Sequence, residues 1–155
     1  MIHHWQVETD FALDQLDLDS VAAIIWKPNR AYLLQHREDR DDIQFPSWWG
    51  LFGGARENGE DAEAALRREI KEELEFRVRD CRLFLGCMFN LWFEGRRTRK
   101  VFFSIEMTET EVCSLILHEG QAMAWLRFDE IMERADKVIP YDLGVIALHN
   151  SLLGI

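Results

Sequence analysis

Between Glu60 and Leu74 the chain places Ala62, Leu66, Ile70 and Leu74 at intervals of four. That period lays one apolar stripe along an amphipathic helix, and such a stripe must be buried against something. Glu69, Glu72 and Glu73 fall at i, i+3 and i+4 in the same stretch. At about 100° of rotation per residue they share a face that borders the stripe and does not point straight at solvent. Like charges at i, i+4 destabilise a helix by roughly a few tenths of a kcal/mol. The cluster therefore gains little unless a cation neutralises it. Hard divalent cations take oxygen ligands, and Mg²⁺ in particular takes carboxylates together with substrate phosphates. Taken by itself, the helix favours the plainer reading of a solvated acidic face. Arg68 and Glu72 make an ordinary i, i+4 pair, and the preceding Gly53-Gly54 also marks simple turns.

Around this helix the pattern is extended. Val21–Trp26 is a short apolar run rich in β-branched residues and reads as a buried strand, ended by the turn Lys27-Pro28-Asn29-Arg30. Ala31–His36 reads as its hairpin partner, followed by a charged loop over Arg37–Asp42 and an aromatic turn over Phe45–Gly50. Leu83–Phe93 and Lys100–Met107 read as a long hairpin whose basic tip is Glu94–Arg99. Leu115–Leu117 and Ala122–Leu126 add short extended pieces around Glu119-Gly120. Phe128–Ala135 reads as a short helix and Asp142–Leu153 as a last one behind Pro140. Strands first, a helix in the middle and helices at the end predict an α/β protein with a mixed β-sheet between helical layers.

Composition narrows the function. The chain has 155 residues and is 48% apolar and 30% charged, which suits one domain with its own core. No repeat, low-complexity segment or linker divides it. The 28 acidic residues exceed the 18 basic ones, giving a net charge of −10, which argues against a general nucleic-acid binder. Met1–Asp10 has no basic start followed by an apolar stretch, and the longest apolar run is far short of a bilayer span. A soluble cytoplasmic protein with no membrane partner is therefore expected. Cys81, Cys87 and Cys113 lack disulfide or zinc spacing and read as buried free thiols.

The full segment Gly54–Phe76 carries more than the helix does. It resembles the Nudix box, G-x5-E-x7-R-E-U-x-E-E-x-G-U with U a bulky apolar residue. Gly54, Glu60, Arg68-Glu69-Ile70, Glu72-Glu73 and Phe76 match, with both internal spacings intact. The one departure is Glu75, where the family has glycine. The resemblance extends over most of the chain from about Ser20, through Phe45-Pro46, Trp49-Gly50 and Gly53-Gly54 to Glu119 and Trp125. It implies a Nudix-like α/β/α sandwich over residues 20–155, with residues 1–19 as an N-terminal extension.

The resemblance also implies an activity. Nudix hydrolases cleave a nucleoside diphosphate linked to another group, between phosphates, with Mg²⁺ or Mn²⁺. Carried over, Glu69, Glu72 and Glu73 become metal ligands or water activators, and the carbonyl of Gly54 is a further ligand. Glu60 and Arg68 tie the loop to the helix and orient the carboxylates, so Glu60 and Gly54 are structural members of the box. Some family members place the general base on a glutamate in a later loop. Glu119 is the candidate, with an ordinary loop acid as an equal alternative. Glu75 either takes up the left-handed conformation at a cost of roughly 1 kcal/mol or lets the helix run on by one residue. In both cases the three carboxylates precede it, so activity is expected to survive.

Substrate contacts are expected from Arg37 and Arg56, which lie near the box, and from an aromatic stack in which Trp48 is the first choice among Phe45, Trp48, Trp49, Phe89 and Trp92. The partner is then a small-molecule nucleotide, and a homodimer is in keeping with the family. Two other readings stay open. One is a Nudix-like domain that binds a nucleotide without cleaving it. The other is an isomerase of isoprenoid diphosphates, for which none of the three cysteines stands in a recognisable setting.

Overall fold

The computed structural model describes residues 20–91 and 96–154. The expected extension, residues 1–19, lies outside them, as do Trp92, Phe93, Glu94 and Gly95 of the expected hairpin tip. Strand β1 (Ser20–Trp26) turns through Lys27–Arg30 into β2 (Ala31–His36), and the two pair antiparallel at Trp26 and Tyr32. Then come β3 (Trp49–Gly50), α1 (Ala62–Leu74), β4 (Arg82–Leu91), β5 (Arg96–Glu106), α2 (Glu109–Val112), β6 (Ala122–Arg127), α3 (Phe128–Glu133) and α4 (Pro140–Leu152). One mixed sheet runs in the order β3-β2-β1-β5-β4, with β6 on β2. The β1–β5 pair is parallel and the remaining pairs are antiparallel.

The apolar run of β1 has no polar alternation because both faces of the sheet are covered. Val21, Ala23 and Ile25 join Leu33, Phe52 and the α1 stripe of Ala62, Ala65, Leu66, Ile70 and Leu74. Ala22 and Ile24 turn the other way, onto Tyr32, Leu34, Phe102 and the helical residues Ile131, Val145 and Ile146. The expected sheet between helical layers is what the chain forms.

Three local readings are corrected and one unread element is added. Trp49–Gly50 forms β3, where the aromatic density reads as a turn; Gln35 and His36 supply the pairing partners. Arg96–Arg99 belongs to β5 and pairs with Leu91–Met88, so these basic residues stand in the strand and not at the tip. Glu109–Val112 forms a short helix missed by periodicity, capped by a reciprocal Thr108–Glu111 box. Of the cysteines, Cys81 and Cys87 are half-buried but Cys113 is exposed; all three are free.

The stretch from Trp49 to Ala55 sets the approach to the helix. Its start pairs with β2, and its end bridges β1 at Ala23–Phe52 and Ser20–Ala55. It thus fills the gap where β1 and β2 diverge beyond their shared pair. Asp142, fully buried at the start of α4, accepts the Leu51 N–H at 2.9 Å and meets Lys100 Nζ at 3.3 Å. Helix α4, strand β5 and the approach to Gly53 are joined through that one carboxylate.

Candidate active site

Gly53 is fixed by geometry that only glycine meets, and Gly54 lies hard against the Glu69 carboxylate. Gly53 has φ +133°, and a Cβ there would lie 2.3 Å from the Val21 carbonyl oxygen. A Cβ on Gly54 would lie 2.6 Å from the carboxylate of Glu69. The loop backbone therefore runs flush against β1 on one side and the helix carboxylate on the other. The Gly54 carbonyl accepts the Val21 N–H at 2.9 Å, which leaves it one lone pair.

Helix α1 starts on Asp61, whose side chain accepts the Ala64 N–H at 2.7 Å. The loop before it is held by Arg68. Its guanidinium makes a two-pronged contact with Glu60, both bonds 3.0 Å long, and donates to the Ala55 carbonyl at 2.9 Å. The hydrogen bonds from Arg68 hold the Glu60 carboxyl below the ordinary range. Arg68 also reaches Glu69 at 2.8 Å and Glu72 at 3.2 Å. One cation thus joins the loop to two of the three clustered carboxylates.

Glu73 points the other way, inward beside the apolar stripe, and is 4% exposed. It accepts the Gly53 N–H at 2.7 Å and meets the Gln35 amide at 3.4 Å. Burial pushes its carboxyl up to about 8, and the charges of Glu69 and Glu119 add to the rise. Burial also raises Glu69, against the pull of Arg68. Glu69, Glu73 and Glu119 line one open cleft of about 410 Å³ together with Gln35, Gly53 and Gly54.

Of the two ends open to the helix, the chain adopts the left-handed one. Glu75 takes the left-handed conformation, φ 53° and ψ 22°, so the helix does not run on. The segment after α2 caps it: Ile116 N–H donates to the Leu74 carbonyl at 3.0 Å and His118 N–H to that of Glu73 at 2.8 Å. His118 Nε2 also meets the Glu75 carboxylate at 2.9 Å. Glu119, the next residue, is thereby carried to the cleft.

The arrangement suits a divalent cation by its donors: hard oxygens on three mutually repelling carboxyls beside a backbone carbonyl. Among the described residues, however, no three acidic, histidine or cysteine side chains stand together as a ready-made metal site. Arg68 engages Glu69 and Glu72, and Glu72 does not line the cleft.

The substrate candidates separate. Arg37 is in the cleft wall, with its Nε on the Gln44 carbonyl at 3.0 Å. Arg56 does not line the cleft; its Nη1 donates to the Glu60 carbonyl at 3.1 Å. Trp48 is also outside it, with its ring 5.3 Å from that of Phe45. Phe45 and Phe89 both approach Tyr141, at 5.9 Å and 5.1 Å, and Trp49 stacks on His36 at 4.8 Å. Three polar cleft residues escape a reading of motifs, Gln35, Glu38 and Arg40. Gln35 has a weak signal: it is an amide two residues beyond Leu33 in β2, on the face that Leu33 buries. Arg40, bound to Glu38 and Asp42, has none.

Comparison with known proteins bears on the family and the fold. The model of the NUDIX domain matches residues 17–146. The nucleoside triphosphatase NudI of Enterobacter sp. (strain 638) is 47% identical over 59 residues, 38% of this chain and 41% of that protein. The NudI of Escherichia coli O139:H28 is 54% identical over 44 residues, 28% of this chain and 30% of its own. The matches thus span less than half of these curated relatives. Among solved structures, the MutT protein of Methanosarcina mazei Go1 superposes with a TM-score of 0.71 at 18% identity, covering 88% of this chain and 97% of that one. A NUDIX hydrolase of Nitrosomonas europaea gives 0.71 at 20% identity, with 87% and 90% covered. At such identities the likeness shows the fold.

Proposed function

The chain belongs to the Nudix hydrolase family, and from that membership we propose that it is a divalent-metal-dependent pyrophosphohydrolase of nucleotides. Its substrate is a nucleoside diphosphate linked to a further group, with nucleoside triphosphates the first class to test and nucleotide sugars and ADP-ribose next. The observation that carries this is the buried carboxyl of Glu73, set among Glu69, Glu119 and the Gly53-Gly54 backbone in one cleft.

Glu69, Glu72, Glu73 and the Gly54 carbonyl are the residues that would hold Mg²⁺ or Mn²⁺. When bound, the cation screens the phosphates from the acidic cleft, polarises phosphorus and lowers the pKa of a water. The chain does the rest. Arg68 and Glu60 hold the box loop on the helix and so fix where the carboxylates stand. Glu119 takes the proton of the attacking water as general base, on a loop anchored at the helix end. Arg37 and Arg40 offer guanidinium groups for phosphate oxygens from the cleft wall. Most of the rate gain then comes from positioning and charge stabilisation.

A panel of nucleotides with Mg²⁺, scored with and without added phosphatase, tests the reading. It separates release of phosphate, of pyrophosphate and of a product that only a phosphatase reveals. Hydrolysis by the native protein and its loss in Glu73→Gln are expected. A nucleotide that binds yet survives prolonged incubation with Mg²⁺ would overturn the enzyme in favour of a binding domain.

A further inference from the structure

We infer that Gln35 is a positioning residue that sets the spacing between Glu73 and the Glu119 loop. The inference rests on the proposed hydrolase reading for its kinetic consequence, but its geometric content stands alone.

Gln35 is 5% exposed, one of few buried polar residues in a sheet otherwise packed with apolar side chains. Burying an amide is costly unless it is hydrogen-bonded, so its partners matter. Both lie in the site. The Nε2 group donates to the carbonyl oxygen of Glu119 at 3.1 Å and reaches Oε1 of Glu73 at 3.4 Å. One amide nitrogen has two hydrogens, enough to serve both partners. The loop also rests on the Gln35 stem: a Cβ on Gly120 would lie 2.8 Å from Cγ and 3.1 Å from Cδ. Moving Gln35 therefore moves the loop.

The amide is itself well anchored. The Gln35 backbone pairs with Met123 of β6 on one side and Gly50 of β3 on the other. Gln121 N–H, just past the Glu119 turn, donates to the neighbouring His36 carbonyl at 2.8 Å. A rigid strand thus presents one side chain that fixes the helix carboxylate and the loop relative to each other. A neutral donor suits this place. A cation there would compete for Glu73, and a carboxylate would add a further repelling charge.

The test compares native protein with Gln35→Met, which keeps the length and apolar stem but has no donor, and Gln35→Asn, which keeps the amide but is one methylene too short to serve both partners. Three readouts are taken: kcat and KM for the best nucleotide with Mg²⁺, amide exchange over residues 116–121, and thermal midpoint. The expected result is a fall in kcat of about tenfold to a hundredfold, KM within about twofold of native, and faster exchange confined to residues 116–121. If either variant folds and shows native kcat and native exchange, the inference is overturned, even when the midpoint drops, since that is what mere packing would give. If the native protein hydrolyses no nucleotide, the hydrolase reading fails. Exchange alone then decides whether Gln35 holds the loop.

Discussion

Glu73 shows how one residue carries conflicting demands. Its carboxyl is raised to about 8 from an ordinary value of about 4.3, so between those limits the folded protein holds a proton that the unfolded chain has released. The stability this contributes is complete below about pH 4.3 and is lost as pH rises through 8. Without divalent ions, Glu73→Gln should therefore raise the thermal midpoint at about pH 8 and flatten its fall with pH, while turnover drops at least about a hundredfold. Scanning calorimetry across pH in a chelator, beside an activity assay, checks both. An unchanged pH slope in the variant would remove the electrostatic account of this residue. Arg68 is a second case. Replacing it with Ala releases Glu60, the Ala55 carbonyl and two helix carboxylates at once. Activity should fall about ten- to a hundredfold with secondary structure, followed by circular dichroism, retained. Residue identity was the most legible level. Spacing puts the three glutamates on one helix face, while their role and those of Gly54, Glu60 and Arg68 are legible only through the resemblance to the Nudix box. Gln35 was legible by neither route, because its role depends on a loop more than eighty residues away.

At the scale of elements, the end of α1 invites a test. Glu75 sits in the left-handed region, which costs a side-chain-bearing residue about 1 kcal/mol. Its contact with His118 is largely exposed and returns little of this. Glu75→Gly should stabilise the fold by up to about 1 kcal/mol in urea unfolding, and Gly53→Ala should destabilise it by more, because backbone atoms block the new methyl. Elements with a strong period were readable: β1, β2, α1, the long hairpin and the last helix. The short ones were not. Two residues of β3 have no period of their own and exist because β2 and the bridge to β1 hold them. The four residues of α2 are defined by a capping box, not by an apolar face.

Among the described residues, buried polar ties join the layers of the molecule. Asp142 is fully buried and paired with Lys100 and the Leu51 N–H. Asp142→Ala would leave Lys100 without its carboxylate and should cost about 3–5 kcal/mol by denaturant unfolding. Buried His149 lies between the Tyr32 hydroxyl at 3.2 Å and the Ser104 hydroxyl at 2.9 Å, and burial lowers its pKa. Its neutral form supports the fold fully above about pH 6.5, and that support is lost as pH falls through the lowered value. The general architecture followed from the order of elements. These ties did not, because residues so far apart in sequence give no local sign of contact. Among the described residues no helix is long and apolar enough to cross a membrane.

Manganese uptake tests the central claim most directly. Electron paramagnetic resonance counts free Mn²⁺ in a titration of native protein, Glu73→Gln and Glu119→Gln, without needing a substrate. The native protein is expected to take up the ion through Glu69, Glu72 and Glu73, Glu73→Gln to weaken binding at least about tenfold, and Glu119→Gln, which alters the proposed general base and not a ligand, to bind as the native protein does. Equal uptake by native protein and Glu73→Gln, or no uptake by either, would contradict the claim.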